Sequence, residues 1–255
     1  VLTALALALA LALSLACSRA RESLPRAYPR LTPSGAPLRW RQPTIELQPV
    51  RPSSQQVSEA LLLQSLREEI EIWNRELSDC HAPRLALAKI RKETPKIKQD
   101  GVSVVLIRTS DWCPDGATND ASCYDHDVEA LTRVYPNEYG SADERGVIAE
   151  ADIEINAVYM KWSLDGSVSG THSLRATLAH ELGHVLGLDD ACNTPEALLV
   201  KGNHAGLAPL CTAQDVRTSI MYPDPNVSGR PLVLKPGPNE VDFLCRSYAV
   251  SPIPH

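Results

Sequence analysis

The densest chemistry in the chain lies in Thr177–Asp190, which reads TLAHELGHVLGLDD. His180 and His184 stand four residues apart, so on a helix both imidazoles leave one face and can share a metal ion. Glu181 follows the first of them, where its carboxylate can take a proton from a water held at that ion. Asp190, six residues beyond His184, can add an oxygen ligand once the chain turns back after the helix. Gly187 permits that turn, because glycine adopts the left-handed conformation without steric cost. Asp189 is adjacent and competes for the role, but the offset favours Asp190. An HExxH string alone arises by chance in roughly one chain of this length per hundred. The glycine and the third ligand at fitting offsets lower that by about two further orders of magnitude.

These side chains need a rigid support. The spacing predicts a helix from about Ser173 to Leu186, with Leu174, Leu178, Leu182 and Val185 on the face that enters the core. Ser58 is a candidate N-cap for a helix reaching Leu77, with an apolar stripe of Leu62, Leu66, Ile70, Trp73 and Leu77. A third helix is expected near Asn239–Tyr248. Strands are expected at Thr44–Val50, Val102–Ile107, Val128–Tyr135 and Gly146–Asn156. In the last, Ile153 and Ile155 alternate with Asp152, Glu154 and Asn156, the pattern of a half-buried strand. Strands first and helices interleaved later indicate an α+β domain with a mixed sheet.

The composition narrows the function. With 31 Asp+Glu against 25 Lys+Arg and 5% aromatic residues, the chain lacks the basic excess and stacking surfaces of a nucleic-acid binder. Residues 1–17 carry an apolar run too short to span a bilayer and read as an export signal. Ser14-Leu15-Ala16 before Cys17 suits ordinary signal cleavage, and it also resembles a bacterial lipobox, which makes Cys17 a candidate lipid attachment site and the only expected membrane contact. Residues 18–37, with Pro25, Pro29, Pro33 and Pro37, read as an extended tether, 38–249 as the folded body, and 250–255 as a tail. Of seven cysteines, Cys17 is the odd one, and six remain for an oxidising compartment. The expected pairs are Cys113–Cys123, closing an acidic loop, Cys192–Cys211, and by elimination Cys80–Cys245, although the sequence leaves other connectivities open. Asp111, Asp115, Asp120, Asp125 and Asp127 crowd one loop; they lack EF-hand spacing, and a solvated acidic loop is set against a Ca²⁺ site. His126, His172 and His204 have no ligand spacing and are assigned surface or capping roles.

The string HELGHVLGLDD, followed by Ser219-Ile220-Met221-Tyr222-Pro223, resembles the metzincin metallopeptidases, in particular the matrixins. The strand GVIAEADIEIN and the helix containing Trp73 extend the resemblance over most of Leu38–Ala249. It implies a twisted mixed sheet with an active-site helix, a Met-turn at Met221 and a C-terminal helix. It also implies Zn²⁺ on His180, His184 and Asp190, with Glu181 as the catalytic proton carrier. Peptide would lie along the edge strand Val128–Tyr135, touching Ala130 and Leu131, and Tyr222 would wall the pocket for the residue after the cleaved bond. The chain departs from the matrixins at Asp190, where they have His, and is there similar to the snapalysin-type variant. An added carboxylate makes the ion a weaker Lewis acid. The matrixin Cys-switch is absent from residues 18–37. The expectation is a monomeric, exported zinc endopeptidase acting on protein or peptide. The rival is a catalytically silent zinc-containing binding module on the same fold.

Overall fold

The computed structural model describes residues 27–54, 56–137, 139, 141, 144–194 and 208–249. The export-signal reading of 1–17, the Cys17 assignment, His204 and the tail 250–255 therefore lie outside the described residues.

Helix α1 (Glu59–Glu76) starts where Ser58 accepts a hydrogen bond from the Leu61 N–H, and its apolar stripe is buried. It joins two parallel neighbours, β1 (Thr44–Pro49) and β2 (Arg84–Leu87), as a βαβ crossover. Strand β3 (Val104–Arg108) pairs parallel with β1 and with β5 (Ile148–Asn156). Strand β4 (Ala130–Pro136) lies antiparallel to β5, giving a five-stranded mixed sheet in the order β2-β1-β3-β5-β4. Two short strands, β6 (Trp162–Ser163) and β7 (His172–Ser173), pair with each other ahead of α2 (Leu174–Val185). Helices α3 (Ala213–Thr218) and α4 (Pro238–Ala249) follow.

Helix α2 is buried on nearly every side, between α1 and the sheet. Trp73 on α1 is fully buried, and its indole N–H donates to the Ala179 carbonyl at 2.9 Å, which fixes one helix against the other. Arg175 on α2 reaches back to Glu69 (2.6 Å) and Glu68 (2.9 Å) on α1. The last carbonyls of α2 are satisfied from two further directions. Trp40 donates to Val185 O at 2.6 Å, and the Tyr248 hydroxyl of α4 donates to Leu186 O at 2.9 Å.

Two expectations are corrected. Strand β5 is covered on both faces: Glu150, Asp152, Glu154 and Asn156 are as buried as Ile153 and Ile155. The reason is that loops fold over the polar face and hydrogen-bond to it. The Asp100 N–H and the Gly101 N–H donate to Glu150, and Arg108 and Tyr124 contact Glu154. The second correction concerns the segment read as a tether. Its described part, 27–37, lies against the body: Arg30 N–H donates to Gly187 O and Asp189 N–H to Tyr28 O, both at 2.9 Å, and Thr32 is buried. A proline-rich segment lacks a regular ladder, but it can still spend its remaining backbone groups on a neighbour.

Disulfides join Cys80–Cys245, Cys113–Cys123 and Cys192–Cys211, a pattern suited to an exported protein in an oxidising compartment. No described helix is long and apolar enough to cross a membrane.

Candidate metal centre

Ser173 caps α2, its hydroxyl accepting from Ala176 N–H at 3.1 Å, and the helix runs to a Schellman closure. Leu188 N–H returns to Gly183 O and Gly187 N–H to His184 O, each at 3.0 Å. Gly187 has φ +96°, and a Cβ there would meet Leu38 O at 2.6 Å, so both conformation and space demand glycine. This turn brings Asp190 back over the histidines.

His180 Nε2 and His184 Nε2 lie 3.4 and 3.5 Å from the same atom, Asp190 Oδ1. Ligands on zinc bonds of about 2.0–2.1 Å at tetrahedral angles stand about 3.3 Å apart. Both Nδ1 atoms are engaged elsewhere, His180 with Ile220 O at 3.1 Å and His184 with Leu188 O at 2.9 Å. A donating Nδ1–H leaves Nε2 as a lone pair aimed at the common centre. Asp190 Oδ1 is buried with no hydrogen-bond partner, a costly state that a cation bound by the trio would relieve. With no metal between them, burial alone would raise the Asp190 carboxyl, but the two imidazoles, when protonated at Nε2, outweigh it and hold the group well below the usual carboxylate range. His180 shows the reciprocal effect: burial disfavours its charged form, yet Asp190 turns the net shift upward.

Asp189 does not join the trio. Its Oδ1 accepts from Asp190 N–H at 3.0 Å, so it braces the loop that presents its neighbour. Glu181 is 5% exposed, and its Oε2 accepts from the Thr132 hydroxyl of β4 at 2.5 Å. Met221 is fully buried beneath α2; a Cβ on Gly183 would meet its sulfur at 2.2 Å. Ala191 N–H donates to Met221 O at 2.7 Å, tying the loop that carries Asp190 to the segment around Met221.

Strand β4 is an edge of the sheet. Asn156 N–H donates to Glu129 O, so by alternation Leu131 turns its backbone groups inward to β5, while Ala130, Thr132 and Val134 present theirs to the open edge. Arg30 already donates to the outward Thr132 O at 2.9 Å. Tyr222 is mostly buried, with the Arg230 guanidinium 5.4 Å from its ring centre.

Sequence reading missed Thr132 and Arg30. Each acts through a partner remote in the chain, and neither lies in a motif. In the acidic loop, Asp115 is committed to Arg108 (2.8 Å) and to Ile97 N–H (2.5 Å). Among the described residues, His180, His184 and Asp190 are the one group of three or more His, Cys, Asp or Glu side chains gathered closely enough for a shared ion. Comparison with protein-family models and with curated proteins finds no match to this chain.

Proposed function

We propose that this chain is an exported zinc-dependent endopeptidase of the metzincin type, with aspartate in the third-ligand position. The observation that carries the reading is the convergence of two imidazole nitrogens on an otherwise orphaned Asp190 oxygen, with Glu181 buried beside them. His180, His184 and Asp190 would hold the metal, and their donor set of two imidazoles and one carboxylate fits zinc. Zinc bound there supplies Lewis acidity toward a carbonyl and makes water a competent nucleophile near neutral pH.

The chain's own residues supply the rest. Glu181 accepts the proton of the attacking water at its carboxylate and returns it to the departing amine nitrogen. Thr132 orients that carboxylate and links it to the edge strand. The outward backbone groups of Ala130 and Val134 can pair with an extended peptide as an added strand, whereas Leu131 can contribute only its side chain. Residues 1–17 would serve as the export signal, with Cys17 the candidate lipid site.

Digestion of a mixed peptide library tests the reading. Zinc-loaded wild type should cleave; chelator should stop cleavage. Glu181→Ala should also be inactive while retaining about one zinc per chain, because Glu181 carries protons and is not a ligand. Loss of metal from a folded Glu181→Ala chain would show the roles to be misassigned. An inert zinc-loaded wild type would leave a binding module as the better description.

A further inference from the structure

A second polar cluster lies outside the trio, around Glu129. This carboxylate, just ahead of β4, is 9% exposed. Its Oε1 meets His172 Nδ1 at 2.6 Å, and its Oε2 accepts from Thr177 Oγ1 at 2.8 Å and from Asn226 Nδ2 at 2.6 Å. Asn226 also donates to Thr177 Oγ1 at 2.9 Å, and its Oδ1 accepts from Ser173 N–H at 2.7 Å. One carboxylate thus joins the start of the edge strand, the first turn of the active-site helix and the loop that follows Tyr222. Thr177 lies one turn before Glu181 on the same helix.

The loop 223–230 depends on such contacts. Of its residues only Pro225 is buried, so apolar packing contributes little to its position. It is pinned at its far end by Arg230, which donates to Val216 O and Pro225 O, and at its middle by Asn226. Asp224 and Arg230 are the other charged groups facing Glu129 and His172.

We propose that Glu129, His172 and Asn226 form a latch that sets the loop after Tyr222 as one wall of the cleft, and that Glu129 and Asn226 are positioning residues for the substrate side chain following the cleaved bond. The proposal rests on the endopeptidase reading above. Its carriers touch neither the trio nor Glu181, so they should affect substrate fit and leave the chemical step alone.

Two measurements on the zinc-loaded full chain test it. The first is kinetics on peptides that vary only in the residue after the cleaved bond. The second is amide hydrogen exchange of residues 222–230, read also in the Glu181→Ala chain, where no turnover occurs. Asn226→Ala should raise KM about tenfold for large side chains, with kcat within about twofold and zinc content unchanged. Exchange in the loop should quicken by about tenfold or more. Glu129→Gln keeps an acceptor for Thr177 and Asn226 and can donate to a neutral His172, so it should restore KM to within about threefold of wild type. Glu129→Ala risks the fold, which is why Asn226→Ala is the deciding variant.

Unchanged exchange or unchanged KM in Asn226→Ala overturns the latch, and so does a loss confined to kcat. Should wild type cleave nothing, the endopeptidase reading fails on its own, while loop exchange still decides whether the latch exists.

Discussion

Two neighbouring aspartates divide the work at the end of α2. Asp190 faces both Nε2 atoms, whereas Asp189 holds the Asp190 backbone N–H. On the proposed zinc site, replacing Asp190 with Ala would remove a ligand and should weaken zinc by more than about a hundredfold; Asp189→Ala would remove only a brace, for which about tenfold is the expected loss. Chelator competition on each apo-variant measures both, and equal losses would reassign the ligand. The trio and Glu181 were legible in the sequence because all four occupy one short segment, where spacing translates directly into facing side chains. Thr132, Glu129 and Asn226 were not. Thr132 meets Glu181 across 49 residues and Asn226 meets Glu129 across 97, distances over which a single sequence carries no spacing signal.

At the scale of elements, α2 and β5 each make a claim that intrinsic propensity would get wrong. Alanine ordinarily stabilises a helix interior relative to glycine, by about 1 kcal/mol. At Gly183 the sign should reverse, because a Cβ would enter the Met221 sulfur and approach Trp73 Cζ2 at 3.4 Å. Gly183→Ala should cost about 1–3 kcal/mol in urea denaturation, and a gain would show that α2 and Met221 are less tightly apposed. On β5, burial together with the neighbouring Glu150 lifts Asp152 to about 7, with the Val104 N–H opposing. The folded chain takes up a proton there, so the associated stability is whole below about pH 4 and is lost as pH rises through about 7. Asp152→Asn keeps the acceptor for Val104 N–H and offers a donor to the unpartnered Glu150 Oε1. It should therefore stabilise by about 1–3 kcal/mol at pH 8 and by much less at pH 4. An equal effect at both pH values would refute the raised Asp152 carboxyl as its cause. Helix α1 and the strand cores were readable from periodicity. Strand β2 is four residues long, and its partner is chosen by the crossover, so no local pattern announced it. The six-residue α3 did carry a signal, a Thr212–Asp215 capping box, obscured by the loop-like composition around it.

The whole molecule closes through contacts that composition cannot report. Cys80–Cys245 spans 165 residues and joins the end of α1 to α4, which itself caps α2 through Tyr248. Residues 27–37 complete the closure from the other terminus, pairing with Gly187 and Asp189 and sending Arg30 to the edge strand. Proline content signals the absence of a ladder; it says nothing about docking. A chain beginning at Leu38, the boundary composition suggests, should keep its far-ultraviolet circular dichroism but, on the proposed zinc site, bind zinc about tenfold more weakly, since the turn that presents Asp190 loses its outer support. Unchanged affinity by chelator competition would show the segment to be ornamental.

That docking also has a mechanical meaning. A protein held by its N-terminal end transmits any pull through residue 27, and the first bonds to bear the load are those from Tyr28 and Arg30 to the turn before Asp190. Tension would then reach the turn that presents Asp190 and, through Arg30, the edge strand together. Were the chain anchored at that end and the proposed metal bound, the anchor and the candidate site would share one line of force.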